Sequence, residues 1–368
     1  MRDSWAAIKP VVRPNGGYQR IPPKIGGALF LMMAVTLVYL ILPDHQRTAP
    51  SDGHPNYPLV SGKRTSDGVT FRIATVSDLD QRSKVDGDKN SWVSYLKLGQ
   101  LTLLNTGKVV VEFEDQAERL VGHISEKGRA IELSELVLFN HRLYTVDDRT
   151  GIVYEIDSQH NLVPWVILRN GNGHLPEAFK AEWMAVKDGD LYVGGLGKDW
   201  TTGDGVLLNK NPKWVKVISP NGAVRHENWT LRYEALQAAA GIRWPGYIIH
   251  ESAVWSKIHR RWYFLPRRSS NERYNEKEDE RRGTNLMISC RDDFTDIQVS
   301  HLGDLNPTHG FSSFKFVPGT HDEVIVALKS EEFGETLASY IVAFNINGRK
   351  LMPEKKFAEA KFEGLEFL

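Results

Sequence analysis

The chain has 368 residues, of which 41% are hydrophobic and 25% are charged, so it can bury a large core and its composition excludes a disordered protein. Lysine plus arginine equals aspartate plus glutamate at 46 each, so net charge gives no indication of a nucleic-acid partner, and none is predicted. A single cysteine, Cys290, excludes an intramolecular disulfide.

The chain opens with a basic segment followed by an uncharged one. Residues 1–24 carry Arg2, Lys9, Arg13, Arg20 and Lys24 against Asp3 alone. Ile25–Leu42 then gives 18 residues without charge, just long enough to span a bilayer, and the flanking bias makes residues 1–24 a cytoplasmic tail. A cleaved signal peptide is the alternative, but its apolar core would be shorter, and Pro43–His45 does not resemble a cleavage site. We therefore predict a single uncleaved transmembrane helix that acts as a signal anchor.

Residues 43–65 are polar and proline-rich, which is typical of an extended stem, so the folded lumenal domain is predicted over residues 66–368. Asn228–Thr230 is a usable glycosylation sequon, whereas Asn306 is followed by Pro307. A helix is predicted over Asn228–Ala240, stopped by Gly241. The charged run Asn271–Gly283 is interpreted as a solvated loop or helix.

One pattern recurs along the folded region: a short apolar strand, a tight polar turn and a second strand, which is typical of a β-hairpin. Its first copy joins Leu136–Phe139 to Leu143–Val146 through Asn140–Arg142. The pattern returns over 182–193, 251–265 and 312–328, and Glu363–Leu368 ends the chain as a first strand without a second. The residues that lead these units are 47, 69, 61 and 51 positions apart: Glu135, Glu182, Glu251, Ser312 and Glu363.

An irregular repeat near this period, with a β pattern throughout, predicts an all-β, five-bladed propeller with four strands in each blade. Pairing of Phe362–Leu368 with the N-terminal strand Phe71–Val76 would close the ring. About 60 residues per blade exceeds the usual 40–50, so long loops are expected on one face.

The lead residues open the innermost strands, so their side chains are expected to converge on the central channel. Clustered carboxylates repel one another unless a cation holds them, and oxygen ligands of this kind favour Ca²⁺ over Mg²⁺. Zinc is disfavoured because the chain has no HExxH or CxxC motif. The alternative is that these residues are ordinary polar positions at strand ends.

Charged residues follow the second strand of each hairpin, among them Asp147–Arg149, Lys198–Asp199, Arg267–Arg268 and Lys329. Guanidinium groups match phosphate oxygens, and acids beside a hard cation suit attack of water on a polyphosphate. Ion pairs between strand ends are the competing interpretation. The glycine-rich Gly194–Gly205 is not a P-loop, because Tyr192 and Asp199 stand where glycine and a hydroxyl are required; it is interpreted as a loop at the rim.

Several motifs resemble the calcium-activated nucleotidase (apyrase) family over residues 69–368: ELSELVLFNHRLYTVDDRTG, PGYIIHESAVWS, RRWYFLPRR, THGFSSFKFVP and IVALKSEE. The resemblance implies a five-bladed propeller with a central Ca²⁺. It also implies hydrolysis of nucleoside di- and triphosphates, with UDP and GDP favoured, in the endoplasmic reticulum and Golgi apparatus by a type II membrane protein. Whether calcium drives formation of a homodimer, and whether the stem is cut, are left open.

The resemblance also implies roles for individual residues. The calcium positions fall on Ser134, Glu135, Glu182, Glu251, Ser312 and Glu363. Asp78, Asp148 and Arg267 correspond to nucleotide-facing residues and are the predicted catalytic set. Glu135 departs from the family pattern, which has Asp. A non-catalytic propeller, with structural calcium and a rim that binds glycans or protein, is the alternative function.

Overall fold

The computed structural model describes residues 60–368. The predicted cytoplasmic tail, the predicted membrane helix and most of the predicted stem lie outside these residues. Between Val60 and Leu368, no helix is long and apolar enough to cross a membrane. The last residues of the predicted stem belong to the sheet, since Lys63–Arg64 pair with Val69–Thr70.

The described chain is all-β and forms five sheets arranged as propeller blades, as the repeating hairpins predict. Blade 1 contains β1 (Lys63–Arg64), β2 (Gly68–Ser77), β3 (Trp92–Leu104), β4 (Val109–Phe113), β5 (Glu118–Gly122) and the C-terminal β26 (Phe362–Phe367). Blade 2 contains β6 (Leu133–Phe139), β7 (Arg142–Asp147), β8 (Ile152–Ile156) and β9 (Leu162–Ile167). Blade 3 contains β10 (Trp183–Lys187), β11 (Asp190–Gly194), β14 (Trp214–Ile218) and β15 (Val224–Asn228).

Blade 4 contains β17 (Ala253–Ser256), β18 (Arg261–Phe264), β20 (Leu286–Arg291) and β21 (Gln298–His301). Blade 5 contains β22 (His309–Phe316), β23 (Val324–Phe333), β24 (Thr336–Asn345) and β25 (Lys350–Ala358). Two short pairs lie outside the five blade sheets: β12 (Trp200–Thr201) with β13 (Leu207–Asn209), and β16 (Tyr247–Ile249) with β19 (Arg268–Ser270). Short 3₁₀ helices cover Asp80–Ser83 and Asn211–Lys213.

Two α-helices interrupt the strands, at Thr230–Ala239 and Glu276–Asp279. The first confirms the predicted helix: the side chain of Asn228 accepts a hydrogen bond from the Thr230 amide at 2.9 Å, and Gly241 follows with φ 75°. The helix begins two residues later than predicted, because Asn228 is the last residue of β15.

The innermost strands are β26, β6, β10, β17 and β22, and each contacts the next around the axis. The ring closes because β26 pairs antiparallel with β2, from Phe362 opposite Ser77 to Phe367 opposite Ile73. This confirms the predicted closure of the N- and C-terminal strands and leaves no open edge between blade 1 and blade 5.

Aromatic side chains fill the space between blades 3 and 4. Trp183, Trp229 and Trp262 are fully buried, and their rings lie 5.6–6.1 Å apart. Burial of rings this large contributes strongly to stability, so this cluster fixes β10 and β17 relative to each other. The acids that precede these two strands are therefore held by a rigid core.

Three innermost strands carry a bulge. The register shifts at Ser134 in β6, at Ser312 in β22 and at Gly364 in β26. A bulge re-aims neighbouring side chains, which places these positions where strict alternation would not. Gly364 has φ 58°, and a Cβ there would lie 2.5 Å from the Leu136 amide nitrogen.

Replacing Gly364 with alanine is expected to lower the free energy of unfolding by about 2 kcal/mol or more, because it adds left-handed backbone strain to a clash with the main chain of β6. Urea denaturation measures the change. Gly319→Ala is the matched control, since Gly319 has φ 74° but no atom within 4 Å of its Cβ position. Equal losses in the two variants would contradict a packing role for Gly364.

Candidate active site

A cavity of about 570 Å³ opens at one end of the channel, and all five blades contribute to its lining. The hairpin geometry explains why: in an antiparallel pair, the start of the first strand lies beside the end of the second. Trp183 is opposite Gly194 and Ala253 is opposite Phe264. Residues just before the first strand and just after the second therefore reach the same end of the propeller.

Three buried acids stand at the starts of innermost strands and line this cavity: Glu182, Glu251 and Glu363. We call them the axial acids. Burial raises the pKa of Glu182 to about 8, and the neighbouring carboxylate of Glu251 acts in the same direction. Burial likewise holds the pKa of Glu363 well above its usual range. The structure thus brings three of the predicted calcium ligands together.

A second set of three acids surrounds them in the same cavity: Asp78, Asp148 and Glu332. We call these the outer acids. Asp78 and Asp148 are two of the predicted catalytic residues, and they are 2% and 7% exposed. Asp78 forms an ion pair with Lys361 at 2.5 Å and accepts a hydrogen bond from the Asp80 amide at 2.8 Å. Asp148 Oδ1, in contrast, is buried and has no hydrogen-bond partner among the described residues.

Three cations join the axial acids to the outer acids: Lys180, Arg267 and Lys361. We call them the bridging cations. Lys180 contacts Asp148 and lies 2.9 Å from Glu182. Lys361 lies 3.3 Å from Glu332 and 3.8 Å from Glu363, in addition to its contact with Asp78.

Arg267 is 5% exposed and forms ion pairs with carboxylates of both sets. It contacts Glu251 and Glu332 and lies 3.0 Å from Glu363. Burial alone would raise the pKa of Glu332, but Lys361 and Arg267 together lower it to about 2. The predicted catalytic arginine therefore lies in the cavity wall, where it pairs with three carboxylates.

The other predicted calcium ligands lie outside the cavity lining. Glu135 is fully buried, accepts a hydrogen bond from Ser313 at 2.9 Å and lies 3.3 Å from the Lys315 ammonium group. Burial raises the pKa of Glu135 to about 7. Its second oxygen and the hydroxyls of Ser134 and Ser312 have no hydrogen-bond partner among the described residues. Their assignment as ligands stays a prediction.

The donor set fits a hard cation. Buried oxygen atoms without hydrogen bonds occur on Ser134, Glu135, Asp148 and Ser312, and the axial acids repel one another. Only oxygen atoms are offered by these residues, which suits Ca²⁺. A further acidic group, Asp78 with Asp80 and Glu132, places one carboxylate oxygen of each residue within 4.8 Å of the others.

Two of the long connections reach the cavity, as expected for loops on one face of the propeller. Lys198 and Trp200 come from the glycine-rich segment. Tyr274 and Asp279 come from the charged run, which was interpreted as solvated. The run is largely exposed and includes a short helix, as expected, but half-buried Asp279 also accepts a hydrogen bond from the Tyr247 hydroxyl and lines the cavity.

Comparison with known proteins places this geometry in a family. Residues 79–368 match the family model described as apyrase. The chain is 54% identical to rat soluble calcium-activated nucleotidase 1 over 319 residues, which cover 86% of this chain and 79% of the rat protein. It is 50% identical to the mouse protein of the same name, covering 95% of this chain and 91% of that one. Apyrase apy-1 of Caenorhabditis elegans is 45% identical over 87% of this chain and 91% of its own length. The chain belongs to the apyrase family.

Proposed function

We propose that the protein is a calcium-dependent hydrolase that converts nucleoside di- and triphosphates, UDP and GDP preferentially, to the monophosphate and phosphate. Family membership supports hydrolysis of nucleotide phosphates. The observation that carries the proposal is the convergence of axial acids, outer acids and bridging cations in one cavity large enough for a nucleotide.

Asp148 is the residue best suited to orient or deprotonate the attacking water. Its Oδ1 atom is buried and accepts no hydrogen bond from the described residues, so it is free to accept one from water. Asp78 is fully engaged by Lys361 and the Asp80 amide, which suits a positioning role. Arg267 is the candidate that stabilises the charge developing on the phosphoryl oxygens.

The residues that would hold calcium are Ser134, Glu135, Glu182, Glu251, Ser312 and Glu363. Bound calcium supplies positive charge that neutralises phosphate oxygens beside the outer acids. The protein's own contribution is to orient the polyphosphate between Arg267 and Asp148, which both line the cavity.

Phosphate release from UDP by the purified full-length protein tests the proposal. We expect activity with calcium, little with magnesium and a calcium chelator, and a strong loss in Asp148→Asn. The alternative is a non-catalytic propeller that binds calcium and recognises glycans or protein through its rim. Calcium-induced stabilisation without phosphate release from any nucleoside di- or triphosphate would favour that alternative.

Calcium affinity is expected to rise with pH up to about 8. Burial raises the pKa of Glu182 from 4.5 to about 8. Below about pH 8, calcium must therefore displace a proton from this carboxyl group. The calcium affinity then falls by up to about tenfold per pH unit for each proton displaced. The metal-free fold should follow the opposite trend and lose stability as pH rises from 4.5 toward 8, because the unfolded carboxyl ionises first.

Calcium titrations followed by melting temperature at about pH 6.5, 7.5 and 8.5 check this expectation. Glu182→Gln is the control, because it removes the titrating group while keeping the shape. An affinity that does not change across this range would show that the axial acids are ionised in the metal-free protein.

We also propose that the protein is a type II membrane protein of the Golgi apparatus and endoplasmic reticulum. There it would remove the UDP that glycosyltransferases leave behind. Whether cleavage of the stem also releases a soluble form is left open. Uncharged Ile25–Leu42 and the basic tail before it support this location and orientation.

In intact microsomes, a C-terminal tag should resist protease, and the protein should resist carbonate extraction. A glycosidase-sensitive mobility shift lost in Asn228→Gln would confirm use of the sequon. Digestion of the tag in sealed vesicles would contradict the orientation.

A further inference from the structure

The bridging cations occupy the places where cavity carboxylates would otherwise face a metal or a substrate. Lys180 lies between Asp148 and Glu182, and Lys361 lies between Asp78 and Glu363. The ammonium group of Lys180 contacts one axial acid and one outer acid, whereas that of Lys361 contacts one axial acid and two outer acids. The pKa of Lys361 is well above its usual range: burial alone would lower it, but the carboxylates of Asp78, Glu363 and Glu332 outweigh burial.

Each of these lysines stands two residues before an axial acid. The chain reads Lys180–Ala181–Glu182 and Lys361–Phe362–Glu363 at the starts of β10 and β26. Because residues two apart in an extended segment point to the same side, lysine and glutamate reach the same cavity from one strand. The two ion pairs are thus built into the strand geometry, and both lysines line the cavity.

A metal ion and an ammonium group compete for the same axial carboxylates. A divalent cation held by Glu182 and Glu363 adds positive charge next to Lys180 and Lys361, which weakens both ion pairs with the axial acids. Each lysine keeps its outer-acid partner, but an ammonium group that has lost its axial acid has a donor available for phosphate oxygens in the cavity.

We propose that Lys180 and Lys361 bind the substrate's phosphate groups, and that calcium makes them available by displacing them from Glu182 and Glu363. The inference rests on the proposed function and adds to it a reason why a metal should activate the enzyme. Calcium and nucleotide then bind with positive coupling, and each raises the affinity of the other by the same factor.

The test measures binding and not only turnover. Calorimetry on Lys180→Gln and Lys361→Gln measures two affinities, one for calcium and one for a methylene-bridged UDP analogue that resists hydrolysis. Each affinity is measured with and without the other ligand. Lys187→Gln is the matched control: Lys187 is also buried and pairs with Asp188 and Asp292, outside the cavity. Lys361→Arg retains the charge and should restore analogue binding if Lys361→Gln loses it.

In the wild type, saturating calcium should tighten analogue binding by about tenfold or more. Lys180→Gln and Lys361→Gln should bind calcium at least as tightly as the wild type does. In the presence of calcium, they should bind the analogue at least about tenfold more weakly than the wild type. The coupling between calcium binding and analogue binding should also be smaller in these variants. Lys187→Gln should match wild type throughout. A purely structural role for either lysine would instead weaken calcium binding and lower the melting temperature.

Unchanged analogue affinity in both lysine variants, or a loss of calcium affinity in both, would overturn the inference. If Lys361→Gln does not fold, Lys180→Gln alone decides, since its partly exposed side chain is a smaller part of the core. Failure of the proposed function looks different: the wild type would bind the analogue with calcium-dependent affinity and yet release no phosphate from UDP.

Discussion

Replacing Arg267 with alanine is expected to lower the rate of UDP hydrolysis by about 10²–10³, which corresponds to about 2.7–4 kcal/mol of lost transition-state stabilisation. The loss should appear in turnover and not only in KM, because negative charge on the phosphoryl oxygens grows as the reaction proceeds. Stopped assays of phosphate release at saturating calcium, over a range of UDP concentrations, separate the two parameters.

The same substitution should also destabilise the calcium-free protein. Arg267 compensates Glu251, Glu332 and Glu363, and removing one partner of a buried ion pair costs about 3–5 kcal/mol. Calcium should restore part of this loss, since a bound cation compensates the same axial acids. Melting curves with and without calcium measure both effects.

Arg261→Ala is the matched control. Arg261 begins β18, the strand that ends just before Arg267, and it pairs with Asp296 outside the cavity. It should keep near-normal turnover. If Arg267→Ala melts early but shows near-normal turnover when folded, Arg267 belongs to the scaffold and makes no contact with phosphate in the transition state.

Glu182→Gln is expected to weaken calcium binding by more than about 10–100-fold, the loss that follows from removing even an outer-shell partner of a metal. The substitution keeps the shape of the side chain and removes one of three converging charges. Activity should therefore fall at low calcium and recover partly at high calcium. Magnesium should substitute poorly in both proteins because it requires a small octahedral shell.

Calcium titrations of activity and of melting temperature check this expectation, with Glu155→Gln as the control. Glu155 pairs with Arg142 on blade 2, outside the cavity. An unchanged calcium midpoint in Glu182→Gln would remove Glu182 from the ligand set. Full activity of the wild type in magnesium with a calcium chelator would reject calcium dependence altogether.

The hairpin repeat was enough to predict the fold because period-two alternation and tight turns are local signals. Once the first strands are innermost, their opening residues are expected to lie near one another; Glu182, Glu251 and Glu363 meet in the cavity, whereas Glu135 and Ser312 are not part of its lining. The positions of Ser134 and Ser312 were harder to predict. Each sits at a bulge, where an extra residue breaks the alternation on which the sequence argument depends.

The bridging lysines were missed, although the sequence contains a signal for them. The spacing Lys-x-Glu occurs at the start of both β10 and β26, and two-residue spacing places both side chains on one side of a strand. Glu332 gave no such signal. It reaches the cavity because β23 extends to Phe333, well past the predicted end at Leu328, and strand length is set by pairing with β24.

The charged run at 271–283 shows a different limit. Composition alone favours solvent exposure, and most of the run is exposed. Asp279 departs from this because Tyr247, some 30 residues earlier in the chain, donates a hydrogen bond to it across the β16–β19 connection. Local sequence patterns do not reveal contacts between residues that lie far apart in the chain. The contacts of charged loop residues near a cavity are therefore the part of the site that is hardest to predict from sequence.

Closure of the ring by β26 has a consequence for synthesis. Lys361 and Glu363 are made after every other cavity residue, and β26 must find β2, which left the ribosome nearly 300 residues earlier. A nascent chain therefore cannot assemble a complete set of axial acids until its final strand has emerged. A chain terminated before β26 would lack Lys361 and Glu363 and would leave β2 with an unpaired edge, which favours aggregation and degradation.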